Sequence, residues 1–372
     1  APVMRTLSLA LRPWEAEVTV YVPPARTRSS LPTMPCPADC RSGSFLSREY
    51  RLSEMKRKRY IPKYNALLIM KNLWLILAVG FAAFSCSGAP LAQEPTRVDS
   101  ILRKLYDPNT SSVVVVAHRG DWKHSVENSL PAVQHAIEMG VDVVEIDIRR
   151  TADGRLVLMH DATIDRTTNG RGEVASLTFD SIRRCRLKAP DGTLTDLLVP
   201  TLDEVFELGR DRILFNIDKG FDIFDDVFFL ADSLGVARQV LMKGTQPTDR
   251  VQEALGKYLD RIVYMPIVHL DKEGALEAIA DFQETIRPAA YELLYGNDTT
   301  RVPLEAEKML AGRALIWYNT MWKGMAGSRY DDRAETEPDS VYGVLIDSLG
   351  ARIIQTDRPG PLIRYLEARG RH

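Results

Sequence analysis

Cysteine is scarce in this 372-residue chain: Cys36, Cys40, Cys86 and Cys185 are all there are, and only Cys185 lies well inside its globular part. No disulfide framework can be built there, and Cys36 with Cys40 finds no second pair at zinc-ligand spacing. Long hydrophobic runs are also lacking. The apolar run from Leu73 to Phe84 has 12 residues, short of the roughly 20 needed to span a bilayer. An excess of basic charge is missing too, since 48 Lys+Arg face 50 Asp+Glu, for a net charge of −2. Residues 1–92 hold 13 of those basic and 5 of those acidic residues, which leaves 35 against 45, or −10, for residues 93–372. Phosphate-backbone affinity needs a net basic surface, so a nucleic-acid partner is excluded. No Walker loop, GxSxG or HExxH motif occurs, which removes nucleoside-triphosphate, serine-esterase and zincin chemistry. With 45% hydrophobic residues, the chain can bury a large core.

Residues 70–93 (MKNLWLILAVGFAAFSCSGAPLAQ) follow the pattern of an export signal: a Lys after a Met, an apolar stretch, then small residues. Two cleavage readings stay open. Ala83-Phe84-Ser85-Cys86 resembles a loose lipobox that would put a lipid anchor on Cys86, whereas a cut near Ala89 or Ala92 would release a soluble protein. Either way the expected location is outside the cytoplasm: periplasmic, membrane-anchored or secreted. Residues 1–69 precede this signal, are proline-rich and carry Lys56-Arg57-Lys58-Arg59. We read them as a non-native upstream extension, residues 70–92 as a signal peptide, and residues 93–372 as the folded domain.

Within that domain a continuous β-branched run, VVVVA at 113–117, reads as a strand buried on both faces. Comparable runs recur at 143–148, 213–217, 239–242, 262–266, 289–294, 314–318 and 352–355, with amphipathic stretches such as 129–139, 202–209, 222–234, 249–259, 273–283 and 303–311 between them. Eight strands alternating with helices imply a (β/α)₈ barrel. A further run at 155–160 follows strand 143–150 after only Thr151-Ala152-Asp153-Gly154, too short for a parallel crossover, so a β-hairpin is expected after the second strand. Pairing Arg150 with Arg155 would set His160 opposite Glu145.

The reactive residue types gather at the C-terminal ends of these strands, where barrel enzymes keep their chemistry. His118-Arg119-Gly120 follows the first strand. Glu127-Asn128-Ser129 precedes the helix at 129–139, where Asn128 or Ser129 also suits a plain helix N-cap. Glu145 and Asp147 share one face of a strand, expected to be the barrel interior. Two buried carboxylates call for a cation, either Mg²⁺ or Ca²⁺, with Asp218 as a third ligand. The bland alternative is an ion pair with Arg149 or Arg155. Two histidines, an arginine, three carboxylates and Lys219 suit metal-assisted attack on a phosphodiester.

These residues also form a recognisable set. AHRG (117–120), ENS (127–129), VVEIDIRRTADGRLVLMHD (143–161), DRTTNGRG (165–172), VPTLDEV (199–205) and TDRP (356–359) resemble the glycerophosphodiester phosphodiesterase family over about 113–359. The resemblance implies a TIM-type barrel, a small-molecule glycerophosphodiester substrate cleaved to glycerol 3-phosphate and an alcohol, and one divalent cation. It makes His118 and His160 the acid and base, Arg119 a phosphate ligand, and Glu145 and Asp147 metal ligands. Where the family shows Glu-x-Lys, this chain has Asn216-Ile217-Asp218-Lys219, so the phosphate-binding cation is either Lys219 or Lys243. Glu127 is a candidate for the substrate pocket; Trp122, Trp317 and Tyr318 either line that pocket or belong to the barrel core. No protein partner is inferred. Lysophospholipid or phosphoinositide headgroups, and a catalytically silent phosphate-binding barrel, are the competing readings.

Overall fold

The computed structural model describes residues 94–372, so the expectations for residues 1–69, the signal at 70–92 and Cys86 fall outside it. Among the described residues, no helix is long and apolar enough to cross a membrane. The described residues form nine strands: β1 Val114–His118, β2 Val143–Arg150, β3 Leu156–Leu158, β4 Leu214–Asp218, β5 Val240–Gly244, β6 Val263–His269, β7 Ala290–Leu294, β8 Leu315–Asn319 and β9 Ala351–Thr356. Eight of them run parallel in the order β1-β9-β8-β7-β6-β5-β4-β2, and β1 pairs with β2 to close the barrel. The expected barrel is therefore present, with helices between the strands.

Period-two alternation sorts each strand into two environments. On β2, Val144, Ile146 and Ile148 face outward into the layer of helices, while Val143 faces the interior. Glu145 and Asp147 share the parity of Val143. The lower interior is filled by Val114, Val116, Leu214, Leu241, Met265, Leu315, Trp317 and Ile353. A helix that the sequence reading passed over, Arg97–Leu105, closes the floor with Val98, Ile101 and Leu105. Its apolar residues recur at helical spacing, and a capping box between Thr96 and Asp99 starts it.

Two expectations are corrected. The hairpin register is shifted by one residue, Arg150 pairing with Leu156 and Ile148 with Leu158. Gly154 adopts a left-handed backbone (φ 84°), which closes a three-residue loop and lets the Thr151 amide bond the Arg155 carbonyl at 2.9 Å. The last pairing contact is the Met159 amide on the Asp147 carbonyl at 3.0 Å, so His160 leaves the ladder instead of facing Glu145 across it. Trp317 does not line an open pocket: it is fully buried in the barrel interior, its indole N–H donating to Asn319 Oδ1 at 2.7 Å. Tyr318, one residue on, is buried on the outer face.

Candidate active site

The barrel mouth begins where β1 ends. Arg119 (φ 54°) and Gly120 (φ 78°) both take left-handed conformations. A Cβ on Gly120 would stand 2.8 Å from the main-chain carbon of Ala132, so the turn needs glycine. His118 stays buried, and its Nδ1 lies 2.7 Å from Asp357 Oδ1, which also accepts the Trp122 indole N–H at 2.7 Å. A carboxylate accepts, so this partner assigns the shared proton to Nδ1 and leaves the Nε2 lone pair for chemistry. The half-exposed Trp322 stands edge-on to the imidazole, 5.8 Å between ring centres.

His160 has a parallel arrangement. Its Nδ1 lies 2.6 Å from Asp161 Oδ1, and its carbonyl accepts from Arg149 at 2.7 Å. Arg166 grips Asp161 from the other side at 2.7 Å, and its hydrogen bond first of all holds that carboxyl well below the usual range. The same guanidinium forks onto Glu127 at 2.8 Å through two nitrogens. Arg119 Nη1 reaches Glu127 at 3.1 Å. Glu127 is thus a bridge between two arginines and not a free pocket residue. Burial works to raise its pKa, but Arg166 and Arg119 outweigh burial and lower it.

Glu145 and Asp147 are both about 1% exposed, and together with Asp218 each offers an oxygen within 4.8 Å of the others. Neither Arg149 nor Arg155 pairs with them, because Arg149 is taken by the His160 carbonyl and Arg155 by Asp203. Asn128 is not the helix cap, a role Ser129 fills. Its side chain clamps Asp147 instead, donating to Oδ2 at 2.9 Å and accepting from the Asp147 amide at 3.0 Å.

Two lysines complete the mouth. Strand β4 ends at Asp218, and Lys219 turns left-handed (φ 60°), which brings its ammonium back onto Asp147 Oδ1. The turn reverses the facing that a continued strand would impose. Lys243 is buried below, 3.6 Å from Glu292 and 3.9 Å from Asp218. Burial disfavours its charge, yet Glu292, Asp218, Glu145 and Asp147 outweigh burial and raise its pKa. The acidic groups respond unequally. Burial, then the neighbouring Asp147 charge, pushes Glu145 up to about 7. Asp147 resists the same burial because Lys219 and Arg119 hold it down.

Three converging hard oxygens, one of them holding its charge only at a cost, fit a divalent cation such as Mg²⁺ or Ca²⁺. Asp161, Arg166 and Asp357 lie inside the family-like segments of the sequence, but nothing there marked their roles. Glu292 and Asp331 carried no motif at all.

Residues 118–240 match the model of the glycerophosphoryl diester phosphodiesterase family, and residues 264–366 match a domain of unknown function. A glycerophosphodiester phosphodiesterase of Caldanaerobacter subterraneus is 44% identical over 107 residues, 28% of this chain and 44% of that protein. The human glycerophosphodiester phosphodiesterase 1 is 42% identical over 166 residues, 44% of each chain. The aligned stretches thus span less than half the length of these relatives. Among solved structures, a glycerophosphoryl diester phosphodiesterase from Parabacteroides distasonis superposes with TM-score 0.61 at 22% identity, covering 73% of this chain and 92% of that one. A phosphodiesterase from Oleispira antarctica, solved with its product sn-glycerol-3-phosphate, gives TM-score 0.51 at 17% identity, covering 69% and 97%. At these identities the two structures speak for the barrel fold.

Proposed function

We propose that this chain, whose residues 118–240 belong to the glycerophosphoryl diester phosphodiesterase family, hydrolyses glycerophosphodiesters to glycerol 3-phosphate and an alcohol. The observation that carries this reading is the pair of imidazoles, each tied through Nδ1 to its own carboxylate, with Glu145 level with His118 in the β1–β2 register and Asp147 feeling the His160 charge. Such a pair supplies one proton acceptor and one proton donor near neutral pH. Phosphate binding alone would need neither.

The substrate phosphate sits against Arg119 and Lys219. Arg119 Nε is a buried donor that finds no hydrogen-bond acceptor, although Asp147 Oδ2 lies 3.4 Å away, which suits it to a phosphoryl oxygen. Glu145, Asp147 and Asp218 hold one divalent cation. When bound, that cation stabilises negative charge on the phosphoryl oxygens. One histidine takes the proton of the glycerol 2-hydroxyl as that oxygen forms a bond to phosphorus. The other gives a proton to the alcohol oxygen as its bond to phosphorus breaks. The protonation states are then exchanged, and water opens the cyclic phosphate with the two roles reversed.

The test is a panel of glycerophosphodiesters assayed for glycerol 3-phosphate release with and without chelator. Release that chelator abolishes supports the reading, and full activity in excess chelator refutes its metal part. A substrate lacking the glycerol 2-hydroxyl that turns over at the natural rate refutes the two-step route. Export through residues 70–92, in soluble or Cys86-anchored form, belongs to the same reading. A mature N-terminus between Cys86 and Gln93 supports it, and retention of residues 1–69 in the exported protein refutes it.

A further inference from the structure

Behind His118 and Asp357 lies a carboxyl that no step above uses. Asp331 is 1% exposed. Its main-chain amide bonds the Thr320 carbonyl at 2.7 Å, and the Thr320 amide bonds the Gln355 carbonyl at 2.8 Å, so the segment after β8 is laced to the end of β9. Three donors converge on its side chain: Thr320 Oγ1 at 2.6 Å and Thr356 Oγ1 at 2.7 Å on Oδ1, and the Asp357 amide at 2.7 Å on Oδ2. Tyr342 closes the other side, its hydroxyl 3.5 Å from Oδ1. Burying a carboxyl is costly unless it is well paired. Here the donors lie at the root of the residue that carries the His118 partner.

We propose that Asp331 is a positioning residue for His118: by holding Thr356 and the main chain of Asp357, it fixes the Asp357 carboxylate against His118 Nδ1. The inference rests on the phosphodiesterase reading for its kinetic test but not for its spectroscopic one. The geometry tolerates little slack. One oxygen of Asp357 serves both His118 and Trp122, and a displacement of about 1 Å near a reacting group can cost about a hundredfold in rate. An aspartate is not required by charge. Asparagine can present its oxygen to the Asp357 amide and its NH₂ to the two threonine hydroxyls, which can turn to accept.

In the full chain, Asp331→Ala is expected to lower kcat by about ten- to a hundredfold with KM within about twofold, while Asp331→Asn recovers to within about threefold of the native rate. In the Asp357→Ala background, Asp331→Ala should add nothing, because the oriented carboxylate is already lost. Independently of turnover, ¹⁵N shifts of the His118 ring should report the Nδ1–H tautomer in the native protein and in Asp331→Asn, and a mixture in Asp331→Ala. A folded Asp331→Ala with native kcat and tautomer overturns the proposal. So do additive losses with Asp357→Ala, or an asparagine variant as poor as the alanine one. If Asp331→Ala does not fold, Thr356→Val removes one hydroxyl from the same carboxylate: a kcat loss at constant KM supports the proposal, and native kcat overturns it. A native protein without activity on any diester would defeat the functional reading, and the tautomer measurement would still decide this one.

Discussion

Residues 118–240 and residues 264–366 build opposite sides of one barrel mouth with different materials. The first stretch brings the reactive groups: both histidines, Arg119, the carboxylates of β2 and β4, and Lys219. The second brings single supporting residues: Asp357 meets His118, Asp331 holds Asp357, and Asn319 bonds Glu292, which faces Lys243 in the short stretch between the two. Reactive groups cluster in sequence because one strand and its hairpin deliver several of them to one face by alternation. Supporting groups come from several strands and from the segment after β8, so they are scattered along the chain and only the closed barrel assembles them.

The sharpest way to break this contrast is to remove the chemistry from the first stretch. His118→Ala and His160→Ala should each lower kcat by about a thousandfold or more with little change in KM, and the double variant should be scarcely worse than either single one. Steady-state kinetics of the three proteins checks this, and multiplicative losses would show that the two imidazoles do not work as a unit. Removing support from the second stretch should cost less. Asp357→Asn keeps the shape but holds the His118 ring less firmly in place, and a loss of about a hundredfold in kcat is expected. If instead it matches His118→Ala, the division between reactive and supporting groups fails.

Asp147→Asn should weaken Mg²⁺ or Ca²⁺ binding by about tenfold or more, measured by equilibrium dialysis without any substrate. Unchanged affinity would move the metal away from β2. A smaller effect concerns pH. Burial, the largest influence, pushes Asp331 up to about 6 from its ordinary 3.8, against Thr320, Thr356 and the Asp357 amide, which favour the charged form; the Asp357 charge adds to burial. Tyr342 and, beyond it, Arg358 are its other titratable neighbours. Between those two values the folded protein binds more protons at this site than the unfolded chain. Its contribution to stability is therefore fully present below about pH 4 and declines as pH rises through 6. Asp331→Asn should flatten that part of the melting-temperature profile, and an unchanged slope would assign it to another group. Smallest of all, Thr201→Ala removes a capping box with Glu204 at the start of helix Leu202–Gly209. A loss of about 1 kcal/mol, or a few degrees in Tm, is expected with kcat untouched; a fall in kcat would make this helix part of the site.

Much of the site was legible beforehand because alternation is a local rule. The shared face of Glu145 and Asp147 required only that β2 be a strand, and Asp218 lies level with Asp147 in the β2–β4 register. The hairpin was legible from its short turn, but its register was not, since one left-handed glycine shifts every pair by a residue. Lys219 was ambiguous for the same kind of reason: a positive φ after β4 reverses the facing that a continued strand implies. Trp317 stayed open between pocket and core, and Glu127 was open as a pocket residue, because residue type alone does not reveal what fills the space around a side chain. One is wedged in the barrel interior, and the other is held between two arginines.

The alternation of strands and helices, the inward parity of the β2 carboxylates, and the arrival of His118 and Arg119 at a strand end could be read from local pattern. These follow from periodicities of two and 3.6 residues, which need no knowledge of distant chain. That Asp357 meets His118, that Asp331 holds Asp357, and that Lys219 turns back onto Asp147 came only with the folded barrel. They depend, in turn, on closing β9 against β1, on laying the segment after β8 along the end of β9, and on a single backbone torsion. A contact made by ring closure between chain segments more than two hundred residues apart leaves no local pattern to read.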